Sequence, residues 1–190
     1  MTSTTQSTIS SYVSDMLALE SHIEKAIEGQ LQELADSKEF TGELREIHRV
    51  CQKHIAALEA LSAGRDDGSN MVAKSIKQVA SSVLGFGAAA VDLLRTEKLP
   101  KNLRDDYTAL SLACIGYTML YATAASLKDM DVAHLAHAHL KDHAKCVTTL
   151  QQTIPVAVVR FLHDDGLPAD ESELPGIMTN LRAAWTDGAA

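Results

Sequence analysis

Glu20 interrupts an apolar stripe. Val13, Met16, Glu20, Ile23 and Ile27 recur at helical spacing, which aims the carboxylate at the same interior as its greasy neighbours. Burying an unpaired carboxylate costs on the order of several kcal/mol, so this group needs a metal, a proton or a hydrogen-bond network. A second concentration of reactive side chains is His134, His137, His139, His143 and Cys146. On a helix, positions 132, 136, 139, 143, 146 and 150 share one face, so His139, His143 and Cys146 line up among Val132, Ala136 and Leu150. A third is His48 and Cys51, three residues apart beside another inward stripe, with His54 next to it. Imidazoles and thiolates from two facing helices, joined by Glu20, form an N/S/O set suited to zinc, iron or another borderline-soft ion. The candidate ligands are Glu20, His48, Cys51, His139, Asp142 and His143; no cofactor is expected beyond such an ion.

The same residues also admit a metal-free reading. His134 and His137 then face water, and His139 and His143 hydrogen-bond Glu20 or backbone carbonyls as a neutral polar layer. Cys51, Cys114 and Cys146 are small buried hydrophobes, and an odd, sparse set without a CxxC favours reduced thiols over a disulfide framework. Tyr117 and Tyr121, one turn apart, are either redox-active neighbours of a metal or core tyrosines with bonded hydroxyls. Gly85-Phe86-Gly87 lacks the following Lys-Ser/Thr and the preceding strand of a phosphate loop. Asp164-Asp165 and Asp170 to Glu173 lack EF-hand spacing and read as solvated charge. No serine or cysteine nucleophile has a partner at readable spacing.

These side chains require helices to position them. A first helix is expected from about Thr8 to Ala35, entered through a Ser-rich cap region, followed by a turn over Asp36 to Gly42. A second runs from about Glu43 to Ala63 with Leu44, Ile47, Cys51, Ile55, Leu58 and Leu61 inward, and Gly64 to Gly68 stops it. Asn70 to Arg95 is helical in pattern, with a break at Gly85-Phe86-Gly87. A fourth segment spans about Leu103 to Leu127. After a Lys128–Asp131 turn, a fifth spans Val132 to Thr153 and stops at Pro155, with Val156 to Leu162 continuing at an angle. The expectation is an all-α, ferritin-like four-helix bundle: two antiparallel hairpins joined by one long helical crossover. Residues 1–163 form the bundle, and 164–190 an acidic tail with a short amphipathic turn through Ile177, Met178, Leu181 and Trp185.

Composition agrees. Of 190 residues, 46% are hydrophobic and only 4% aromatic, which favours closely packed helices over a β-sandwich. A net charge of −8 and a pI near 5.4 exclude a basic face for nucleic acid. Met1 to Ser11 is polar without a signal pattern, and no apolar run reaches the ~18 residues of a membrane span. A cytoplasmic protein with no membrane partner is therefore expected, as a homodimer with a possible protein partner.

The run Ser14 to Ile27, SDMLALESHIEKAI, resembles the opening helix of the YciE/YciF-type ferritin-like stress proteins. Gly116 to Leu120, GYTML, followed at matching spacing by Leu127 and Leu140, is similar to that family's third core helix and its turn into the fourth. The resemblance spans about residues 8 to 155. It implies a ferritin-like fold, a stress-associated role and a dimetal site with one carboxylate from the first helix, which Glu20 matches. The remaining ligand positions fall on Arg49 and Gln52 in the second helix, Ala113 in the third, and Lys141-Asp142-His143 in the fourth. Arginine and alanine cannot ligate a cation, so the resemblance implies a degenerate dimetal site. Two functions follow: a non-enzymatic bundle that has lost its diiron ligands, or a metal-binding protein or oxidoreductase with an altered His/Cys/Glu site.

Overall fold

The computed structural model describes residues 3–35, 39–65 and 98–187, and the expected helix over Asn70–Arg95 with its glycine break lies outside them. The elements are α1 (Ser3–Glu33), α2 (Thr41–Ala63), α3 (Lys98–Ser126), α4 (Met130–Asp164), a single 3₁₀ turn (Glu171–Glu173) and α5 (Leu174–Asp187). No strand occurs among the described residues.

Cross-helix contacts fix the direction of each helix. Glu20 meets His54 and Glu24 meets Gln52, so α1 and α2 are antiparallel. Tyr117 meets His139, and Tyr121 meets His137, so α3 and α4 are antiparallel. Gln30 meets Asp106, and Glu20 meets Tyr117, so α3 also opposes α1. Lys53 meets Asp142, and Arg65 meets Asp129, so α4 opposes α2. With α1 taken as up, the order is up, down, down, up. Helices α2 and α3 are parallel, and Arg65 and Lys98 stand at opposite ends of the bundle. Those ends are about 43 Å apart for a 29-residue α3 at 1.5 Å per residue.

The seams follow from periodicity. In α1, Val13, Met16, Glu20, Ile23 and Ile27 are all buried, and in α4 so are Val132, Ala136, His139, His143, Cys146 and Leu150. In α2 the inward set is Leu44, Ile47, Val50, Cys51, His54 and Leu58. Ile55 and Leu61, expected inward, are only half-buried. Gly116 lets α3 approach α1 closely, since a Cβ there would lie 2.5 Å from the Met16 sulfur.

Both hairpin turns use left-handed backbone, at Phe40 (φ 56°) and Lys128 (φ 64°). Asp129 then caps α4, its carboxylate accepting from the Val132 N–H at 3.3 Å. The same carboxylate accepts from Arg65 Nη2 at 2.7 Å, tying the end of α2 to the α3–α4 turn. That guanidinium holds the Asp129 carboxyl below the usual carboxylate range. At the opposite end Gln30 Nε2 donates to Asp106 Oδ1 at 2.8 Å between α1 and α3. Gln30 Oε1 and Asp106 Oδ2 are buried without partners. Burial pushes the Asp106 carboxyl up to about 7.

Three expectations are corrected. Helix α1 begins at Ser3, because the Ser/Thr-rich segment joins the helix instead of merely capping it. Helix α4 does not stop at Pro155 but continues to Asp164. An interior proline costs about 3 kcal/mol relative to alanine, and the burial of Thr153, Ala157 and Val159 around it keeps the helix going. Finally, Leu99–Ser126 is long and apolar enough to cross a membrane by length and composition alone. Its Ser, Thr and Gly residues shorten the purely apolar runs but add no charge between Tyr107 and Leu127. The inner face of α3, including Leu110, Ala113, Tyr117, Leu120 and Ala124, is packed within the bundle.

Candidate metal centre

At mid-height of the bundle each of the four long helices contributes a polar side chain. Glu20 comes from α1, His54 from α2, Tyr117 from α3 and His143 from α4, and each is fully buried. They meet on one atom. Tyr117 O–H donates to Glu20 Oε1 at 2.7 Å. His143 Nε2 lies 2.7 Å from the same oxygen and His54 Nδ1 2.8 Å from it. The two ring nitrogens are 3.3 Å apart. Glu20 Oε2 and His143 Nδ1 are buried with no hydrogen-bond partner. Burial alone would raise the Glu20 carboxyl, but the bonds from His143 and His54 outweigh it and hold the group down at about 2.

A second ring of groups holds the first. His139 stacks on His54, with centroids 3.7 Å apart and planes 12° from parallel. Its Nδ1 is 3.0 Å from the Tyr117 hydroxyl. Burial, with His54 adding to it, pushes the His139 imidazole down to about 3 and so keeps it neutral. On the other side His54 Nε2 is 3.4 Å from Asp142 Oδ2, which also pairs with Lys53 Nζ at 2.9 Å. Asp142 and Lys53 border a groove of about 210 Å³ between α2 and α4. Burial and the Glu20 charge push the Cys51 thiol and the Tyr117 phenol well above their ordinary values.

Of the six ligands expected from sequence, Glu20 and His143 converge directly. His139 and Asp142 stand one residue back, against Tyr117 and His54 respectively. Cys51 is buried beside Glu20, but its sulfur is not among the gathered ligand atoms. His48 is not at the centre: its Nε2 lies 2.8 Å from Glu24 Oε1, close but not aligned for a hydrogen bond. The residue that sequence reasoning passed over is His54. The signal for it was the alternation 44, 47, 51, 54, 58, which places His54, not Ile55, on the seam. His134 and His137 are exposed, and Tyr121, 40% exposed, packs on His137 instead of entering the centre.

The dinuclear ligand set does not fit these residues. Arg49 lies on the surface, paired with Glu46 at 2.6 Å, and Gln52 donates outward to Glu24 at 3.2 Å. Ala113 offers only a methyl group to the core. What remains is a mononuclear set: one ligand atom each from Glu20, His54 and His143, all within 4.8 Å of one another. Comparison of the chain with protein-family models, with curated proteins and with solved structures finds no match.

Proposed function

We propose that this protein is a ferritin-like bundle that binds one transition-metal ion per chain through Glu20, His54 and His143. The ferritin-like reading is supported by the up-down-down-up order of the helices, which separates such bundles from simple up-and-down ones. The observation that carries the metal reading is the convergence of three buried ligand atoms from three helices beside an unpartnered Glu20 Oε2. Two nitrogens bonded to one ion at about 2.0–2.1 Å and the tetrahedral angle sit about 3.3–3.4 Å apart. His54 Nδ1 and His143 Nε2 are already at 3.3 Å. A ligating imidazole usually gives its other N–H to a carboxylate, which fixes the tautomer. Asp142 stands in that place behind His54. Protein purified from metal-supplemented medium should carry about one ion per chain by elemental analysis, and His54→Ala and His143→Ala should each lose it. Metal-free wild-type protein would overturn this function.

One observation favours the metal-free reading. An ion on His143 Nε2 would leave an N–H at Nδ1 with no acceptor, whereas without metal Nδ1 is a bare acceptor, which costs less. The stress-associated, non-enzymatic role implied by the family resemblance goes with that reading, and the same elemental analysis separates the two.

A further inference from the structure

Tyr117 stands apart from the three ligand residues only because phenols are weaker donors than imidazoles until they lose their proton. Its hydroxyl is 2.7 Å from Glu20 Oε1, the same oxygen that His54 and His143 approach at 2.8 and 2.7 Å. Three donors converging on one atom have the directions of three ligands around one ion, with distances that must contract to about 2.0–2.1 Å. Glu20 can yield the focal place and still bind, because Oε2 has no other partner. The phenol ring is fixed: it is fully buried, and His139 Nδ1 backs the hydroxyl at 3.0 Å.

We infer that Tyr117 is the fourth ligand of this site and that the resulting two-nitrogen, two-oxygen set takes a ferric ion with Tyr117 bound as tyrosinate. The inference rests on the mononuclear site proposed above. Charge and hardness choose the ion. A buried trivalent cation held by Glu20 alone keeps two uncompensated charges, and a phenolate removes one of them with a hard oxygen donor. Cys51, the other candidate anion, is a softer donor whose sulfur lies outside the gathered atoms. On binding, the Tyr117 O–H bond is exchanged for an O–Fe bond and one proton is released per ion. Because the Tyr117 hydroxyl gives its hydrogen to Glu20, His139 Nδ1 carries the hydrogen of their 3.0 Å contact and supports the phenolate oxygen as a donor. The released proton leaves with the outgoing chelating ligand of the iron. No electron moves, since the iron enters and stays ferric.

The test is to load the intact wild-type chain with a ferric chelate and with zinc in parallel, then measure metal content and the visible spectrum. The expected result is one ferric ion per chain with a phenolate-to-iron charge-transfer band. Tyr117→Phe should remove the band while zinc affinity falls no more than the roughly 10–100-fold typical of losing a supporting hydrogen bond. The wild-type spectrum is decisive even if that variant does not fold. A stoichiometric ferric ion lost in His143→Ala but showing no band overturns the tyrosinate and leaves the mononuclear site standing, as does stoichiometric zinc without ferric binding. Failure to retain either ion overturns both.

Discussion

Replacing Asp106 by Asn should stabilise the protein at alkaline pH and leave it almost unchanged in acid. Asp106 is 5% exposed, and burial, with Asp105 adjoining, pushes its carboxyl up from 3.8 to about 7. The folded state therefore holds this proton more tightly than the unfolded state. Its stabilising effect is complete below pH 3.8 and is lost as pH rises to about 7. At about 1.36 kcal/mol for each tenfold change in proton affinity, that interval is worth at most about 4 kcal/mol. Asparagine carries no charge to bury. Its amide N–H can serve Gln30 Oε1 while its carbonyl keeps the bond from Gln30 Nε2, so both orphaned atoms acquire a role. Even half of the ceiling, about 2 kcal/mol, raises the melting temperature of a chain this size by about 4–8 °C. The assay is thermal unfolding of wild type and Asp106→Asn at pH 4 and pH 8. A variant that melts lower than wild type at pH 8, or that gains equally at both pH values, refutes the argument that a buried proton governs this contact.

Pro155→Ala should restore the hydrogen bond to the Gln151 carbonyl inside α4. It should gain about 1–2 kcal/mol after the unfolded chain's extra freedom is subtracted; a loss in urea titration would show that the proline shapes the helix usefully. Asp129→Ala removes both the α4 cap and the partner of Arg65, and should cost about 2–3 kcal/mol in the same titration. Half-buried Cys114 should be alkylated first in the native protein. Cys146, pushed up to about 11, should react more slowly, and Cys51 only on unfolding, a ranking that mass spectrometry of labelled peptides can check.

The helical seams could be read from the chain because each long helix keeps one apolar face for many turns. Glu20 was legible for the same reason, being the only carboxylate on its stripe, and the α4 face from Val132 to Leu150 placed both His139 and His143 inward. Helix α2 was harder. Cys51 is followed by His54 and Ile55, and apolarity favoured the isoleucine, while the 3.6-residue turn places the histidine on the seam. Tyr117 was visible as a core aromatic, but nothing local says that its hydroxyl meets a carboxylate 97 positions away. That pairing depends on the relative height of α1 and α3, which no single helix encodes. The expected stop at Pro155 failed because a backbone preference was weighed without the side-chain burial on either side of it.

The placement of Glu20, His54, Tyr117 and His143 at one level has a consequence for how the helices settle against one another. Leucine, isoleucine and alanine would tolerate a slide of one helical turn, about 5.4 Å, since grease meets grease on either setting. The carboxylate would not, because such a slip strands it opposite methyl groups with no donor in reach. The layer thus works as an index notch: it adds little to adhesion yet penalises every vertical offset but one. A chain whose notch was filled with leucine would be expected to hold together while losing its single alignment.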